Sequence, residues 1–277
     1  MSTLSQTISL GPLGFTLAQL LMVFALMVAL LVGALLGRRY RVVVSDALFS
    51  LIMVAFVAAR VVFVLRYNES YDSFLAMIDI RDGGFDVTAG VVAALLWLCW
   101  RSWRSSALRR PLSAAVLSAV LVWGVLSGLI LLMDNEARPV PDLELAAMDE
   151  SAINLRDFQA TGDGPMVVNL WATWCPPCRR EMPVLAKAQA EQDDIHFVFV
   201  NVGEGPGTIR EFIGSQDLNL DNILLDRNNR LGAMTGAHVL PTTLFYNADG
   251  LLVDSHTGEL SRATLRQGLE KLGSGVP

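Results

Sequence analysis

The stretch Val167-Val168-Asn169-Leu170-Trp171-Ala172-Thr173-Trp174-Cys175-Pro176-Pro177-Cys178 decides how this chain is read. It begins as an apolar run with strand character and ends in a Cys-x-x-Cys that opens a helix. Pro176 suits the first helical position, where the missing N–H would have no partner anyway. Cys175 therefore stands where strand hands over to helix. The positive end of a helix favours a thiolate there, and the thiolate is the form that attacks a disulfide. Cys178, one turn further on, is placed to be the shielded resolving thiol. Zinc is the other common use of such a pair, but it normally needs four ligands. No second Cys pair or Cys/His cluster follows.

The two prolines between the cysteines carry information of their own. Neither has an N–H, so a Cys175 thiolate loses two backbone donors and keeps mainly the Cys178 amide. A less stabilised thiolate disfavours the reduced form and pushes the pair toward reductant behaviour. The pattern predicts a Cys175 pKa near about 7, rather than the about 3.5 of strongly oxidising sites.

Of the 277 residues, 53% are hydrophobic and the formal net charge is −6; mean hydropathy is +0.45. That is too apolar for an ordinary soluble chain of two units. The charge and the absence of a basic face exclude nucleic acid as a partner. Three cysteines, two of them in one pair, do not make the disulfide framework of a small secreted domain.

The apolar excess lies before about Met133. Four segments approach the roughly 20-residue length that crosses a bilayer: Leu17–Gly37, Val42–Leu65, Phe85–Trp100 and Leu112–Met133. The third is short and starts beside Asp86. No basic residue precedes the first, and no small-residue cleavage site follows it, so a removable signal peptide is not expected. Arg38, Arg39 and Arg41 fall in the first connection, and Arg101, Arg104, Arg109 and Arg110 in the third. The second has Arg66 and Arg81 among Glu69, Asp72, Asp79 and Asp82. Basic connections mark the cytoplasmic side, so with four crossings the chain after Met133 emerges outside. Loss of the third crossing alone would reverse that. Arg60, inside the second span, either snorkels to the outer interface near Arg66 or serves a function. Asp46 is expected to pair with the nearby arginines. Cys99 reads as a small buried hydrophobe rather than a redox relay.

Three pieces of this half, Gly11-Pro12-Leu13-Gly14, Ala58-Ala59-Arg60-Val61-Val62-Phe63-Val64 and Arg81-Asp82-Gly83-Gly84, resemble the first third of prolipoprotein diacylglyceryl transferases over roughly residues 10–95. Where that family continues with His-Gly-Gly, this chain has Asp86-Val87-Thr88-Ala89-Gly90. The family's later Arg- and Asn-containing signature is missing. The resemblance thus implies a relict scaffold that binds lipid or a partner, not a transferase.

Residues 134–141, polar and with Pro139 and Pro141, read as a short stiff connector between a membrane domain of residues 1–133 and a domain of residues 142–277. In the latter, strands are expected at Leu143–Leu145, Ile153–Leu155, Met166–Ala172 and Ile195–Val202. Helices are expected from Pro176 to about Gln192, at Thr208–Gln216 and at Asn228–Thr235. Thr243–Asn247 and Leu251–Ser255 flank Ala248-Asp249-Gly250 as a hairpin, and Ser261 caps a last helix running to about Leu272. Such alternation indicates an α/β fold with a central sheet covered on both faces.

This second half resembles thioredoxin-fold proteins, especially membrane-anchored TlpA-like disulfide reductases and their relatives in cytochrome c maturation, over roughly residues 139–273. Trp171 and Trp174 precede Cys175 as in thioredoxins. Pro183 falls where the family kinks its active-site helix, and Leu240-Pro241-Thr242-Thr243 matches its cis-proline loop. The resemblance implies a redox-active Cys175–Cys178 disulfide with no further cofactor and no metal. It implies substrate contacts from Trp174, Pro176, Leu240 and Pro241. Thioredoxin's buried Asp is Asn169 here, so another group or water must take the proton from Cys178. Glu181, Glu204 and His238 are the candidates. The competing readings are a solvated first-turn carboxylate for Glu181 and an ordinary loop histidine for His238. Glu204 sits at a strand end, where α/β sites gather.

The function expected is reduction of protein disulfides outside the cytoplasm by a domain tethered to the bacterial inner membrane. The dithiol would be recharged by a membrane donor of the DsbD or CcdA kind. Oxidising exchange, a copper-handling thiol module and lipid binding by the membrane half are the alternatives.

Overall fold

The computed structural model describes residues 7–10, 13–133, 138–162 and 164–273. Its contacts divide the chain into a helical unit and an α/β unit. Near the start, β1 (Thr7–Leu10) and β2 (Leu13–Thr16) pair as a two-stranded ribbon.

The helical unit contains α1 (Leu17–Tyr40), α2 (Ser45–Arg66), the single-turn α3 (Phe74–Ile78), α4 (Val87–Arg104) and α5 (Ser106–Met133). α1 packs on α5 and α2 on α4. Small residues make the first approach close: Ala25, Ala29, Gly33 and Gly37 form the buried stripe of α1, the pattern by which spanning helices associate. A Cβ on Gly33 would come within 3.2 Å of Val44. The remaining faces carry exposed Met, Leu, Val and Phe, as expected where acyl chains are the solvent.

Three of these helices, α1, α2 and α5, are long and apolar enough to cross a membrane. α4 is not among them, because it starts only at Val87 and its last turn carries Arg101 and Arg104. The fourth span begins earlier than expected, with Pro111 inside the helix. Three side-chain expectations are corrected here. The first concerns one of the two readings of Arg60: it does not snorkel, being buried and donating to backbone carbonyls. Cys99 is exposed on α4 rather than buried. Asp46 accepts from Ser45 Oγ, and among the described residues it forms no ion pair with the arginines of the α1–α2 turn.

The α/β unit is built on a seven-stranded sheet ordered β4-β3-β7-β6-β5-β8-β9. Its strands are β3 (Glu144–Ala147), β4 (Ala152–Asn154), β5 (Met166–Trp171), β6 (His196–Val202), β7 (Ile223–Asp226), β8 (Thr242–Tyr246) and β9 (Leu252–Thr257). β5, β6 and β7 are parallel, and the outer strands join antiparallel. Alternation along β5 sorts the two faces. Val167 and Trp171 join one core with α7 (Pro176–Glu191), α8 (Pro206–Ser215) and α10 (Arg262–Gly273). Met166, Val168 and Leu170 join the other with α6 (Leu155–Thr161) and α9 (Arg230–Thr235).

Within residues 138–273, two elements lie where the sequence predicts none. β7 is a four-residue strand, and α6 is capped by Asn154, whose Oδ1 accepts from the amides of Arg156 and Asp157. The β8–β9 hairpin turns at Gly250 with φ +72°, and Ser261 Oγ accepts from the Thr264 amide at the head of α10. Of the expected connector, residues 134–137 lie outside the described residues. Arg138 and Val140 already exchange hydrogen bonds with Leu252 and Gly250, so this part belongs to the sheet unit.

Candidate active site

β5 delivers its last residue, Trp171, to the carboxyl edge of the parallel strands, and Ala172–Trp174 lead into α7. The indole of Trp171 is fully buried, 5.5 Å from the Phe212 ring. Cys175 is the N-cap of α7 and Pro176 its first residue. Cys175 and Cys178 form a disulfide with S–S 2.12 Å, and the Cys178 amide donates to Cys175 Sγ at 3.3 Å. Cys178 is fully buried and Cys175 nearly so, whereas Trp174 between strand and helix is 66% exposed. Pro176 is exposed beside it. Cys175 Sγ thus lies at the helix mouth with the Trp174 ring exposed nearby in the chain, and Cys178 Sγ lies behind it.

β8 runs antiparallel to β5, with Leu170 opposite Thr242. Pro241, one residue before, therefore lies at the end of β5 from which the Cys175 loop departs. The Leu240–Pro241 bond is cis, Pro241 is buried, and Leu240 packs against both faces' cores.

Glu181 is where the structure departs most from sequence expectation. It is not a solvated first-turn carboxylate: it is completely buried, on the same stripe of α7 as Cys178, Met182 and Leu185. The spacing explains this, since residues three, four and seven positions on from Cys178 share its inward face. Asn169, on the Val167–Trp171 face of β5, donates Nδ2 to Glu181 Oε1 at 2.8 Å and to Thr243 Oγ1 at 3.0 Å. The Leu260 amide donates to Glu181 Oε2 at 2.8 Å. Burial pushes the Glu181 carboxyl up from its ordinary 4.5 to about 8; the Leu260 and Asn169 hydrogen bonds pull it down, and the charge of Glu259 adds to the rise. Raised into that range, the group can release or accept a proton close to neutral pH.

Glu204 follows β6 beyond Gly203, which turns with φ +81°. Its Oε2 accepts from the Thr173 amide and from Asn201 Nδ2, both at 2.8 Å, and its Oε1 accepts from Thr173 Oγ1. Glu204 thus pins the loop just ahead of Cys175. Arg179 reaches the same loop through the Thr173 carbonyl at 3.3 Å, with its guanidinium over the Phe212 ring. His238 lies exposed in the loop before Leu240.

Sequence reasoning missed Thr173, Thr243 and the Leu260 amide. Thr173 and Thr243 stood inside the quoted motifs but carried no spacing signal. A backbone amide donating from the head of α10 has no signature at all.

A Cys-x-x-Cys disulfide at the mouth of a helix, after a strand paired with one that follows a cis-proline, in this sheet order, defines a thioredoxin-fold redox domain. Residues 135–271 match the Redoxin family model. The thiol-disulfide oxidoreductase ResA of Halalkalibacterium halodurans is 30% identical over 128 residues, which are 46% of this chain and 70% of that protein. The thioredoxin-like protein YneN of Bacillus subtilis is 29% identical over 49% of this chain and 79% of its own length. A solved structure of a DsbE-type thiol:disulfide interchange protein from Chlorobium tepidum aligns with 50% of this chain and 99% of its own, at 22% identity and TM-score 0.44. The chain belongs to the ResA- and TlpA-like thiol–disulfide oxidoreductases. Its membrane half matches the prolipoprotein diacylglyceryl transferase model over residues 6–131, further along the chain than the quoted pieces indicate and into α5.

Proposed function

We propose that this membrane-tethered oxidoreductase works as a reductant of protein disulfides on the outer side of the bacterial cytoplasmic membrane, with its α/β domain in the periplasm. The observation that carries the reading is the nearly buried Cys175–Cys178 pair on α7 with Glu181 one turn behind it.

In the reduced protein the Cys175 thiolate attacks a substrate S–S bond, forming a mixed disulfide and releasing one substrate thiolate. Trp174, Pro176 and the Leu240–Pro241 loop receive the substrate backbone around that bond. Cys178 then gives its proton to the Glu181 carboxylate and attacks Cys175 Sγ. The Cys175–Cys178 disulfide forms, and the second substrate thiol leaves. Two electrons pass to the substrate. A membrane dithiol donor of the DsbD or CcdA kind restores them, with protonated Glu181 returning its proton to Cys178. Glu204 holds the Thr173 loop, and thereby Cys175, in position. The two prolines of the motif favour the reducing direction by the backbone-donor argument given above.

The test is the redox state of the full chain in cells. With the donor deleted, alkylation of free thiols is expected to find Cys175 and Cys178 oxidised. A pair that stays reduced overturns the dependence on that donor.

A further inference from the structure

The helical unit leaves a mismatch. Between Asp86 and Arg101, α4 offers about 21 Å of apolar helix at 1.5 Å per residue. The apolar lengths of α1 and α5 are each about 30 Å, the thickness of the hydrocarbon core. Something else must fill the last third of this crossing.

The α2–α4 connection is built for that. The Asp86 amide donates to the Ala59 carbonyl at 3.0 Å, so α4 starts level with a point about 10 Å short of the end of α2. Arg60 lies at the same level. Its Nε donates to the Met77 carbonyl at 3.1 Å, its Nη1 to Gly84 at 2.8 Å and its Nη2 to Asp79 at 2.5 Å. The rings of Phe63, Tyr71 and Phe85 lie within 6 Å of the guanidinium carbon. The end of α3 is thus held at the depth of Arg60, inside the span rather than above it. Yet Phe74, Leu75 and Ile78 are 73%, 79% and 59% exposed, and Ile80 is 50% exposed.

Irregular backbone at membrane depth needs its carbonyls satisfied from within the protein, and Arg60 supplies three donors. Gly84 is required for the fit, since a Cβ there would lie 2.3 Å from the Phe63 ring. We propose that Phe74–Ile80 re-enters the outer leaflet, with Phe74, Leu75 and Ile78 in contact with lipid acyl chains and Arg60 as the positioning residue that latches the segment. α4 and this segment together then make one crossing. That brings α5 out on the same side as the end of α2. "Outer" here rests on the arginine distribution, independently of the redox chemistry.

The test uses a cysteine-free full chain carrying single reporters, Asn68→Cys, Leu75→Cys or Ile78→Cys, treated with a membrane-impermeant maleimide in intact spheroplasts. Asn68 is exposed just beyond α2 and is expected to label quickly. The reporters at 75 and 78 are expected to label at least about tenfold more slowly, because thiolate does not form in hydrocarbon. Both are also expected to stay protected in purified protein in phosphatidylethanolamine/phosphatidylglycerol vesicles. Equal labelling at 68 and 75 overturns the proposal. Protection in cells that vanishes in vesicles also overturns it, because a protein partner rather than lipid then covers the segment. A reporter at 68 that labels only after lysis overturns the outer-leaflet placement. Arg60→Gln is expected to raise labelling at 75 toward that at 68; labelling unchanged in a folded Arg60→Gln chain removes Arg60 from the account.

Discussion

Asn169 Nδ2 and Glu181 Oε1 lie 2.8 Å apart, one on β5 and the other on α7, and both residues are buried. This contact ties Glu181 to the strand that leads into the Cys175 loop. In the proposed resolving step the useful form of Glu181 is the carboxylate, whose fraction grows as pH rises through about 8. Resolution of a preformed mixed disulfide, followed by rapid quench in the full chain, is expected to accelerate over that range. Glu181→Gln should slow it about 10²-fold, the low end for general-base catalysis. The remaining rise should move to the ionisation range of the thiol itself. An unchanged profile in Glu181→Gln removes the residue from proton transfer.

Asn169→Asp places a second carboxyl against Glu181. Two such groups at hydrogen-bond distance resist double ionisation, so the onset of the resolving step is expected to move to higher pH. A shift to lower pH contradicts the contact.

The same titration has a stability consequence. The Glu181 pKa is raised in the fold from an ordinary value of 4.5 to about 8, so the folded state holds its proton more tightly than the unfolded chain. Its contribution to stability is complete below about pH 4.5 and is lost as pH climbs through about 8. Hydrogen exchange of β5 and α7 amides in the oxidised full chain should show falling protection over that window. The fall should be absent in Glu181→Gln.

Glu204 accepts the Thr173 amide at 2.8 Å. Glu204→Ala leaves that donor, beside Cys175, without its acceptor. A loss of about 1–3 kcal/mol is expected for an unmet buried group, read as faster exchange of the Thr173 amide. Slower attack by Cys175 should accompany it. Wild-type protection at Thr173 in the variant contradicts the positioning role.

Gly268 sets how closely α10 approaches β8. A Cβ there would fall 2.4 Å from the Phe245 ring, which is itself fully buried. Gly268→Ala is expected to destabilise the α/β unit by about 1–3 kcal/mol through overpacking, measured by hydrogen exchange of β8 in the full chain. No change in protection means that α10 sits further out.

The sequence made legible whatever depends on chain-local spacing. Cys175-Pro176-Pro177-Cys178 after an apolar strand located the redox site, and Ser261 located the head of α10. Position-specific burial was harder to see. By sequence alone Glu181 reads as a solvated first-turn acid, because nothing local shows that the inward stripe through Cys178 continues to it. β7 was missed because Ile223-Leu224-Leu225-Asp226 is too short to display a period. Arg60 has Arg66 as its nearest charged residue in sequence. Its partners at Met77, Asp79 and Gly84 lie up to 24 positions away and are carbonyls, which side-chain identity does not reveal.

Trapping in cells tests the central claim most directly. In the full-length Cys178→Ala chain the resolving thiol is gone, so Cys175 is expected to accumulate in mixed disulfides with proteins outside the cytoplasm, visible on non-reducing gels and abolished by the further change Cys175→Ser. Absence of any Cys175-linked species, or trapped partners that are all cytoplasmic, contradicts the account.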